Sequence, residues 1–243
     1  MAKTRLDAQL YQRGLAVSVE KAAALVMAGE VLVDDAPISK PGTPVADDAV
    51  IRLRNTPMPY VSRGGLKLAG AFAAFDIPIA GKQALDVGIS TGGFTDYLLQ
   101  HSVATVTGVD VGYGQVDIRL QRDPRVTILE RTNVRHLTRD QLPDGIGLVV
   151  MDLSFISVLA VLPYLRDLLG SGVDWVVLVK PQFEALPDQI GQGGIVRDDA
   201  VRRTILNMVK ASLLSAGFSV LGETPSPITG TKGNQEVFLW LQS

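Results

Sequence analysis

The sequence predicts an α/β protein, in which a small α+β unit precedes a Rossmann-like, mainly parallel sheet that ends in an antiparallel strand. Two patterns support this fold class. From about residue 66 onward, apolar segments of strand length alternate with helical segments, which favours a parallel sheet covered by helices on both faces. Within that region, residues 85–95 (LDVGISTGGFT) lead from a strand through a glycine-rich turn into a helix.

Two domains and a linker are predicted along the 243 residues. Residues 1–53 form the small unit, and residues 64–243 form the larger α/β domain. Residues 54–63 contain Pro57 and Pro59 and are predicted to link the two. Because so short a chain buries little apolar surface, the small unit is expected to be only modestly stable.

The small unit changes from helical to strand-like patterning along its length. Residues 4–13 and 18–28 have the spacing of short amphipathic helices, with Ser18 as the N-cap of the second. Residues 31–33 and 49–51 are predicted to be strands.

The larger domain is predicted to contain strands at residues 83–87, 104–110, 125–129, 146–151, 174–180, 218–223 and 236–241. The clearest helices between them are predicted at residues 64–75, 92–101, 156–169 and 198–216. A short, turn-rich segment separates the last two strands, so the final strand is expected to be antiparallel.

The glycine-rich turn is the predicted cofactor site. Its spacing differs from the G-x-G-x-x-G that places a dinucleotide pyrophosphate on a helix N-terminus. Asp86 ends the first strand, and a carboxylate there suits S-adenosylmethionine, which has an amino group and no phosphate. Asp110 ends the next strand, where a carboxylate can accept both hydroxyls of a ribose. The alternative is an ordinary strand–turn–helix with a surface aspartate.

Composition excludes several classes of site. The chain has no cysteine, which rules out disulfides, cysteine nucleophiles and thiolate metal sites, and its two histidines cannot form a histidine-rich metal centre. No apolar run is long enough to span a bilayer, and the N-terminus lacks the apolar stretch of a secretory signal. We therefore expect no metal, no membrane partner and a cytoplasmic location.

Four charged residues are predicted to converge at the carboxyl ends of the strands, where open parallel sheets bind ligands. Asp152 and Lys180 each follow a strand, Glu236 begins the last strand, and Lys67 lies on the helix before the first strand. Lys180 is the predicted general base for a ribose hydroxyl, with Asp152 and Glu236 orienting the lysines. Lys67 would steady the oxygen or tune Lys180. The alternative is that each is a solvated lysine or a helix-capping carboxylate.

The tetrad and its flanking segments resemble the FtsJ-type ribose 2′-O-methyltransferases, and the whole chain resembles the TlyA family, also called haemolysin A. The matching segments are residues 62–67, 86–95, 109–115, 130–133, 151–155, 180–184, 193–197 and 226–230. The resemblance implies S-adenosylmethionine-dependent 2′-O-methylation of cytidine in ribosomal RNA or ribosomal subunits. The cofactor-binding residues that it implies are Asp86, Gly88, Ser90, Gly92, Gly93, Phe94, Asp110 and Asn133.

Residues 1–53 resemble the RNA-binding module named after ribosomal protein S4. The resemblance implies a surface on which basic helix residues contact RNA phosphates, and the candidates for RNA contact are Arg5, Arg13, Lys21 and, beyond the module, Arg63. The alternative for each is a solvated charge on a helix face. The chain departs from the TlyA pattern at Arg202, where the family has a histidine, and at Ile89, where alanine is commoner.

Two other functions remain open from the sequence. The chain could be an RNA-binding or ribosome-assembly factor that binds the cofactor without turnover. A membrane-active haemolysin is disfavoured, because the sequence has neither a spanning helix nor a strongly basic amphipathic stretch.

Overall fold

The chain divides into two compact units, Met1–Met58 and Pro59–Ser243. The computed structural model describes residues 3–34, 36–54, 58–230 and 233–243. The predicted linker at residues 54–63 falls across the division, and its residues 55–57 lie outside the described residues. Each unit has its own hydrophobic core.

The first unit combines two helices with short antiparallel strands. Its elements are β1 (Lys3–Arg5), α1 (Leu6–Gln12), α2 (Val19–Met27), β2 (Val31–Val33), β3 (Ala36–Pro37), β4 (Pro44–Ala46) and β5 (Ile51–Leu53). β1 pairs with β4, and β2 pairs with both β3 and β5. The apolar faces of the helices and strands form one core, which confirms the predicted α+β character.

Helix-end signals in the first unit act as their residue types predict. The side chain of Ser18 accepts a hydrogen bond from the backbone N–H of Lys21 at 3.2 Å and so caps α2. Gly29, just beyond α2, has a φ of +74°, a left-handed conformation that ends helices. The sequence prediction missed β1, β3 and β4, which are strands of two or three residues.

The second unit is built on one seven-stranded sheet in the order β11-β12-β10-β9-β6-β7-β8. Its strands are β6 (Gln83–Val87), β7 (Thr105–Val109), β8 (Val126–Leu129), β9 (Ile146–Met151), β10 (Asp174–Val179), β11 (Ser219–Pro225) and β12 (Val237–Gln242). β12 pairs antiparallel with β10 and β11, while the pairs among β6 to β10 are parallel. The predicted Rossmann-like sheet with a final antiparallel strand is therefore confirmed.

The order of this sheet reverses between β6 and β9, and such a switch point leaves a crevice at the carboxyl ends of the strands. The helices of the unit are α3 (Arg63–Ala74), α4 (Gly93–Gln100), α5 (Ile118–Gln121), α6 (Leu162–Leu169), α7 (Pro181–Glu184) and α8 (Asp199–Ser215). Four of them were predicted, whereas the four-residue helices α5 and α7 were not.

The sheet has a hydrophobic core on each face, because alternate residues of a strand point to opposite sides. In β9, Val149 and Met151 face the core that includes α6 and α8, whereas Leu148 and Val150 face the core that includes α3 and α4. Both cores are fully buried at these positions, which explains why the strands are nearly continuous apolar runs.

Two predicted elements are displaced from their observed positions for identifiable reasons. The strand predicted at residues 49–51 is instead β5, two residues later, because residues 47–49 form a turn. The helix predicted at residues 156–169 begins only at α6, because Ser157 caps a separate turn of 3-10 helix before it.

Candidate active site at the carboxyl edge of the sheet

The structure brings the four predicted catalytic residues together. Asp152 directly follows β9, Lys180 directly follows β10, and Glu236 directly precedes the antiparallel β12. Lys67 lies on the second turn of α3, which packs across this edge from the side of α4. The rule that ligands bind at the carboxyl ends of parallel strands therefore accounts for the positions of Asp152, Lys180 and Glu236, whereas Lys67 reaches the same edge from a helix.

The tetrad consists of two ion pairs joined through Asp152. Lys67 Nζ lies 2.5 Å from Glu236 Oε2 and 3.9 Å from Asp152 Oδ2. Lys180 Nζ lies 2.6 Å from Asp152 Oδ1. All four side chains are largely buried, with Glu236 only 3% exposed, and their charges sum to zero, which makes so much buried charge tolerable.

Asp152 keeps capacity to accept a further hydrogen bond. Its Oδ1 is buried and has no hydrogen-bond partner among the described residues, so the contact with Lys180 is an ion pair without the angles of a hydrogen bond. Lys180 Nζ donates instead to the hydroxyl of Ser154 at 2.9 Å. The sequence prediction missed Ser154, although it lies only two residues beyond Asp152.

The loop after Asp152 also holds an exposed aromatic side chain. Phe155 is 90% exposed and has a φ of +65°, which is rare for a bulky residue. Its ring lies 5.2 Å from that of Phe183, and Phe183 in turn lies 5.9 Å from Lys180 Nζ. Backbone strain and solvent exposure at one aromatic residue beside charged groups indicate a functional position.

The glycine-rich turn connects β6 to α4 through three left-handed residues, with φ values of +87° at Gly88, +49° at Ser90 and +94° at Gly92. A Cβ at Gly88 would lie 2.6 Å from the carbonyl oxygen of Asp152, so glycine is required where the turn passes the tetrad. A Cβ at Gly92 would collide with Leu120, which gives Gly92 a packing role.

Asp86 is fully buried inside β6 and faces α4. Its Oδ2 accepts a hydrogen bond from the hydroxyl of Thr95 at 2.7 Å, whereas its Oδ1 has no partner among the described residues. Burial raises the pKa of Asp86 to about 7, although the hydrogen bond from Thr95 opposes the shift. A nearby cationic group would favour the charged form of this carboxyl.

Asp110 fixes the turn to the end of β7. Its Oδ2 accepts a hydrogen bond from the backbone N–H of Ser90 at 2.8 Å, and its Oδ1 accepts one from Gly112 at 2.7 Å. Each carboxylate oxygen has a second lone pair, so Asp110 retains acceptor capacity toward a ligand.

Three cavities surround the tetrad. The largest, about 440 Å³, lies along the ends of β6, β7 and β9 and is lined by Gly88, Ser90, Asp110 and Asn133, among others. A second, about 210 Å³, lies between the turn and α3 and is lined by Gly93, Phe94, Arg63 and Lys67, among others. A third, about 250 Å³, lies beyond the lysines and is lined by Phe155, Phe183, Lys180 and Glu236, among others.

Gly88, Ser90 and Asp152 line both the first and the second cavity. The third cavity shares Ser154 and Phe155 with the first and Lys67 with the second. A nucleoside with an amino-acid tail fits this pair of joined cavities. The larger cavity is lined by Asp110, whose carboxylate can bind a ribose, whereas Asp86 lines neither cavity and its unpartnered Oδ1 is buried. The residues present therefore fit S-adenosylmethionine.

The four residues predicted to contact RNA differ in their exposure and in their bonding partners. Arg5 is 64% exposed but pairs with Asp7, and Lys21 is exposed. The guanidinium of Arg13 donates to two backbone carbonyls and to the side chain of Gln9, so Arg13 also supports the fold of the first unit. Arg63 is exposed and lines the cavity between the turn and α3.

Arg202 lies on α8, where the TlyA pattern has a histidine. Its guanidinium donates to the carbonyls of Val196 and Arg197 and pairs with Asp199. The arginine therefore holds the segment before α8 against the helix.

The described residues provide neither a metal site nor a membrane-spanning helix. No group of three or more histidine or acidic side chains among them is arranged to hold a metal ion. Within the same ranges, no helix has the length and apolarity needed to cross a bilayer.

Comparisons with known proteins extend over both units. Residues 60–243 match the family model of the FtsJ-like methyltransferases, and residues 4–51 match that of the S4 domain. The chain is 45% identical over 242 residues to the 16S/23S rRNA (cytidine-2'-O)-methyltransferase TlyA of Mycobacterium tuberculosis, a match that covers 99% of this chain and 90% of that protein.

Solved structures agree with this match. A Streptococcus thermophilus protein that carries the hemolysin name is 39% identical, with a TM-score of 0.76 over 100% of this chain and 89% of that one. An S-adenosylmethionine-dependent methyltransferase from Mesorhizobium loti shares the fold, with a TM-score of 0.51 at 16% identity over 69% of this chain and 94% of its own. The chain therefore belongs to the FtsJ-like methyltransferase family and, within it, to the TlyA proteins.

Proposed function

We propose that this protein transfers a methyl group from S-adenosylmethionine to the 2′-hydroxyl of a cytidine ribose in ribosomal RNA. The observation that supports it most directly is the buried Lys67–Glu236 and Lys180–Asp152 pairs, placed where three cavities meet. The cytidine and the ribosomal RNA are inferred from the Mycobacterium tuberculosis relative, which is named a 16S/23S rRNA (cytidine-2'-O)-methyltransferase.

The cofactor would be held by the glycine-rich turn and the two cavities that it separates. Asp110 and Asn133 would bind its ribose, Gly88 and Ser90 would let the backbone approach it, and Asp86 would favour its amino group electrostatically. When bound, S-adenosylmethionine supplies the methyl group. Arg63 lines the same cavity as Gly93 and Phe94, so its cation also suits the carboxylate of the cofactor.

Lys180 would accept the proton of the ribose hydroxyl. Lys180 lines the third cavity, and its Nζ lies close to Asp152 and Ser154, which line the larger one. A positioned base of this kind typically contributes about 10²- to 10⁴-fold to a rate. Asp152 would orient Lys180, whose Nζ lies 2.6 Å from its Oδ1, and its remaining acceptor capacity would orient the hydroxyl.

Lys67 would stabilise the negative charge that develops on the attacking oxygen. Glu236, nearly inaccessible to solvent, holds Lys67 at 2.5 Å and prevents it from turning away. A cation fixed in advance at a site of low dielectric stabilises developing charge without reorganising during the reaction.

The first unit would supply RNA affinity through its exposed basic residues, among them Lys21 and Arg5. Residues 1–53 would then act as the RNA-binding module and residues 64–243 as the catalytic domain. We further propose that the protein works in the cytoplasm, where ribosomal subunits are its substrate.

The test is methyl transfer from radiolabelled S-adenosylmethionine to purified ribosomal subunits, followed by mass spectrometry of the nucleosides. Wild-type protein should produce 2′-O-methylcytidine, and Lys180→Ala should lower the rate by about 100-fold or more. Lys82→Ala is the matched control, because Lys82 also forms a close ion pair, 2.7 Å from Asp174, but at the start of β6 on the opposite edge. Its rate should equal that of the wild type.

Two outcomes would contradict the proposal. Cofactor binding by calorimetry without transfer to any ribosomal particle would favour an RNA-binding assembly factor that retains cofactor affinity. Full activity in Lys180→Ala, with the fold intact, would remove Lys180 from the role of base.

A further inference from the structure

Glu184 is a buried carboxylate just outside the tetrad. It ends α7, the short helix that begins immediately after Lys180. Its Oε2 accepts a hydrogen bond from the hydroxyl of Ser157 at 2.5 Å, and its Oε1 accepts one from the backbone N–H of Val158 at 2.8 Å. Burial raises the pKa of this carboxyl, and the two hydrogen bonds oppose that shift.

These contacts tie two active-site segments together at both ends. At one end, Lys180 contacts Asp152 and Ser154, and at the other, Glu184 contacts Ser157 and Val158. The loop of residues 152–158 is therefore held against residues 180–184 by four contacts, two from each end of the second segment. None of these residues falls outside the described ranges.

The loop needs such support because its middle is strained. Phe155 has left-handed backbone geometry without the freedom of glycine, and its side chain is almost wholly exposed. A loop released at Val158 could relax this φ angle, and Asp152 and Ser154 would then move relative to Lys180. Catalytic geometry is sensitive to displacements of about 1 Å.

We propose that Glu184 is a positioning residue, which anchors the loop of residues 152–158 so that Asp152 and Ser154 meet Lys180. This inference rests on the proposed methyl transfer. Glu184 acts through hydrogen bonds to a hydroxyl and a backbone N–H, so its geometry matters and its charge does not.

The variants that test it are Glu184→Ala and Glu184→Gln. Alanine removes both contacts, whereas glutamine can keep both, because its carbonyl accepts from the Val158 N–H and its amide donates to Ser157. We expect Glu184→Ala to lower kcat by about 10- to 100-fold while the Kd for S-adenosylmethionine stays within about twofold. Glu184→Gln should retain wild-type kcat and the wild-type pH profile.

A control separates positioning from stability. Asp198→Ala also removes a carboxylate that accepts from backbone N–H groups at a helix start, those of Ala200 and Val201. It should lower the Tm, because it removes the N-cap of α8, and leave kcat unchanged. Equal loss of kcat in Asp198→Ala and Glu184→Ala, or a Glu184→Gln variant as inactive as Glu184→Ala, would overturn the proposal.

Amide hydrogen exchange tests the anchor without any turnover. In Glu184→Ala, the Val158 amide should exchange at least about tenfold faster, with exchange in β9 and β10 unchanged. Unchanged protection at Val158 would overturn the proposal even if the enzyme methylates RNA. If the wild type methylates nothing but Val158 loses protection, the proposed function fails and the anchoring role of Glu184 stands.

Discussion

The glycine-rich turn and the charged tetrad lie side by side at one edge of the sheet, and they are built in opposite ways. The turn is a single short segment shaped by its backbone, with left-handed residues at Gly88, Ser90 and Gly92. The tetrad is made of side chains from separate elements, and its Lys67–Glu236 pair joins positions 169 residues apart.

Because of this difference, substitutions in the two regions should have different effects. Changes in the turn act through steric collisions and backbone conformation, and they should alter cofactor affinity and stability. Changes in the tetrad act through unpaired buried charge, and they should alter turnover most strongly.

The largest effect is expected when Glu236 is removed. Glu236→Ala leaves Lys67 with Asp152 as its remaining partner at 3.9 Å, in a site that is largely buried. Breaking a buried pair in this way typically costs about 3–5 kcal/mol of stability. We expect such a loss in urea unfolding, together with methyl transfer at least about 100-fold slower.

The double variant Lys67→Met, Glu236→Leu removes the whole pair and separates its two effects. Replacing both charges with apolar groups should restore most of the stability, because no unpaired charge remains. Methyl transfer should stay lost. Recovery of activity along with stability would show that the pair only supports the fold.

The sheet and the location of the tetrad could be predicted because both depend on local patterns and a general rule. β6 and β9 have the predicted bounds, since each is an apolar run bounded by polar residues and turns. Asp152, Lys180 and Glu236 then follow from strand direction alone, because carboxyl ends of parallel strands share an edge.

Other parts of the site depend on contacts that no local pattern encodes. The hydrogen bonds that Lys180 donates to Ser154 and that Ser157 donates to Glu184 join residues 26 and 27 positions apart in the sequence. The left-handed φ of Phe155 could not be predicted, because phenylalanine, unlike glycine or asparagine, rarely adopts it. The two- and three-residue strands of the first unit exist only through their pairing, so their own composition does not predict them.

The second prediction concerns pH and Asp86. Its folded pKa of about 7 lies above the ordinary value of 3.8, so the folded state holds its proton more tightly than the unfolded chain does. The stability that this provides is present below about pH 4 and is lost as pH rises toward about 7. At 1.36 kcal/mol per pKa unit, the total is of the order of 4 kcal/mol.

Asp86→Asn should remove this dependence of the free energy of unfolding on pH while leaving the shape of the site nearly unchanged. The measurement is urea unfolding of the cofactor-free protein from pH 4 to pH 8, compared between wild type and variant. Parallel stability curves for the two proteins would mean that Asp86 is not the titrating group.

Gly88→Ala tests whether the turn requires glycine where it passes Asp152. Gly88→Ala combines a left-handed φ with a Cβ placed 2.6 Å from the carbonyl oxygen of Asp152. We expect a loss of roughly 2–3 kcal/mol in stability and a weaker cofactor Kd by calorimetry.

Gly81→Ala is the matched control, because Gly81 has a similar φ of +76° with nothing within 4 Å of its Cβ position. It should show the backbone cost alone, about 1 kcal/mol, and unchanged cofactor binding. Equal losses of stability in the two variants would show that the backbone at Asp152 can move away from the new Cβ at little cost.

The smallest expected effect on stability is at Phe155, which combines a strained backbone with a position beside the charged side chains of the tetrad. Phe155 lies in the loop that carries Asp152, yet it has the left-handed backbone seen in the turn. Phe155→Ala keeps the strained φ and loses the contact with Phe183, so it should destabilise the protein by about 1 kcal/mol. Phe155→Gly also loses the ring but relieves the φ angle, so it should be more stable than Phe155→Ala by about 1 kcal/mol. We expect the exposed ring to stack on an unpaired base of the RNA, so both variants should raise the KM for RNA about tenfold with unchanged cofactor affinity. An unchanged KM in both would mean that the strain at Phe155 serves the loop and not the substrate.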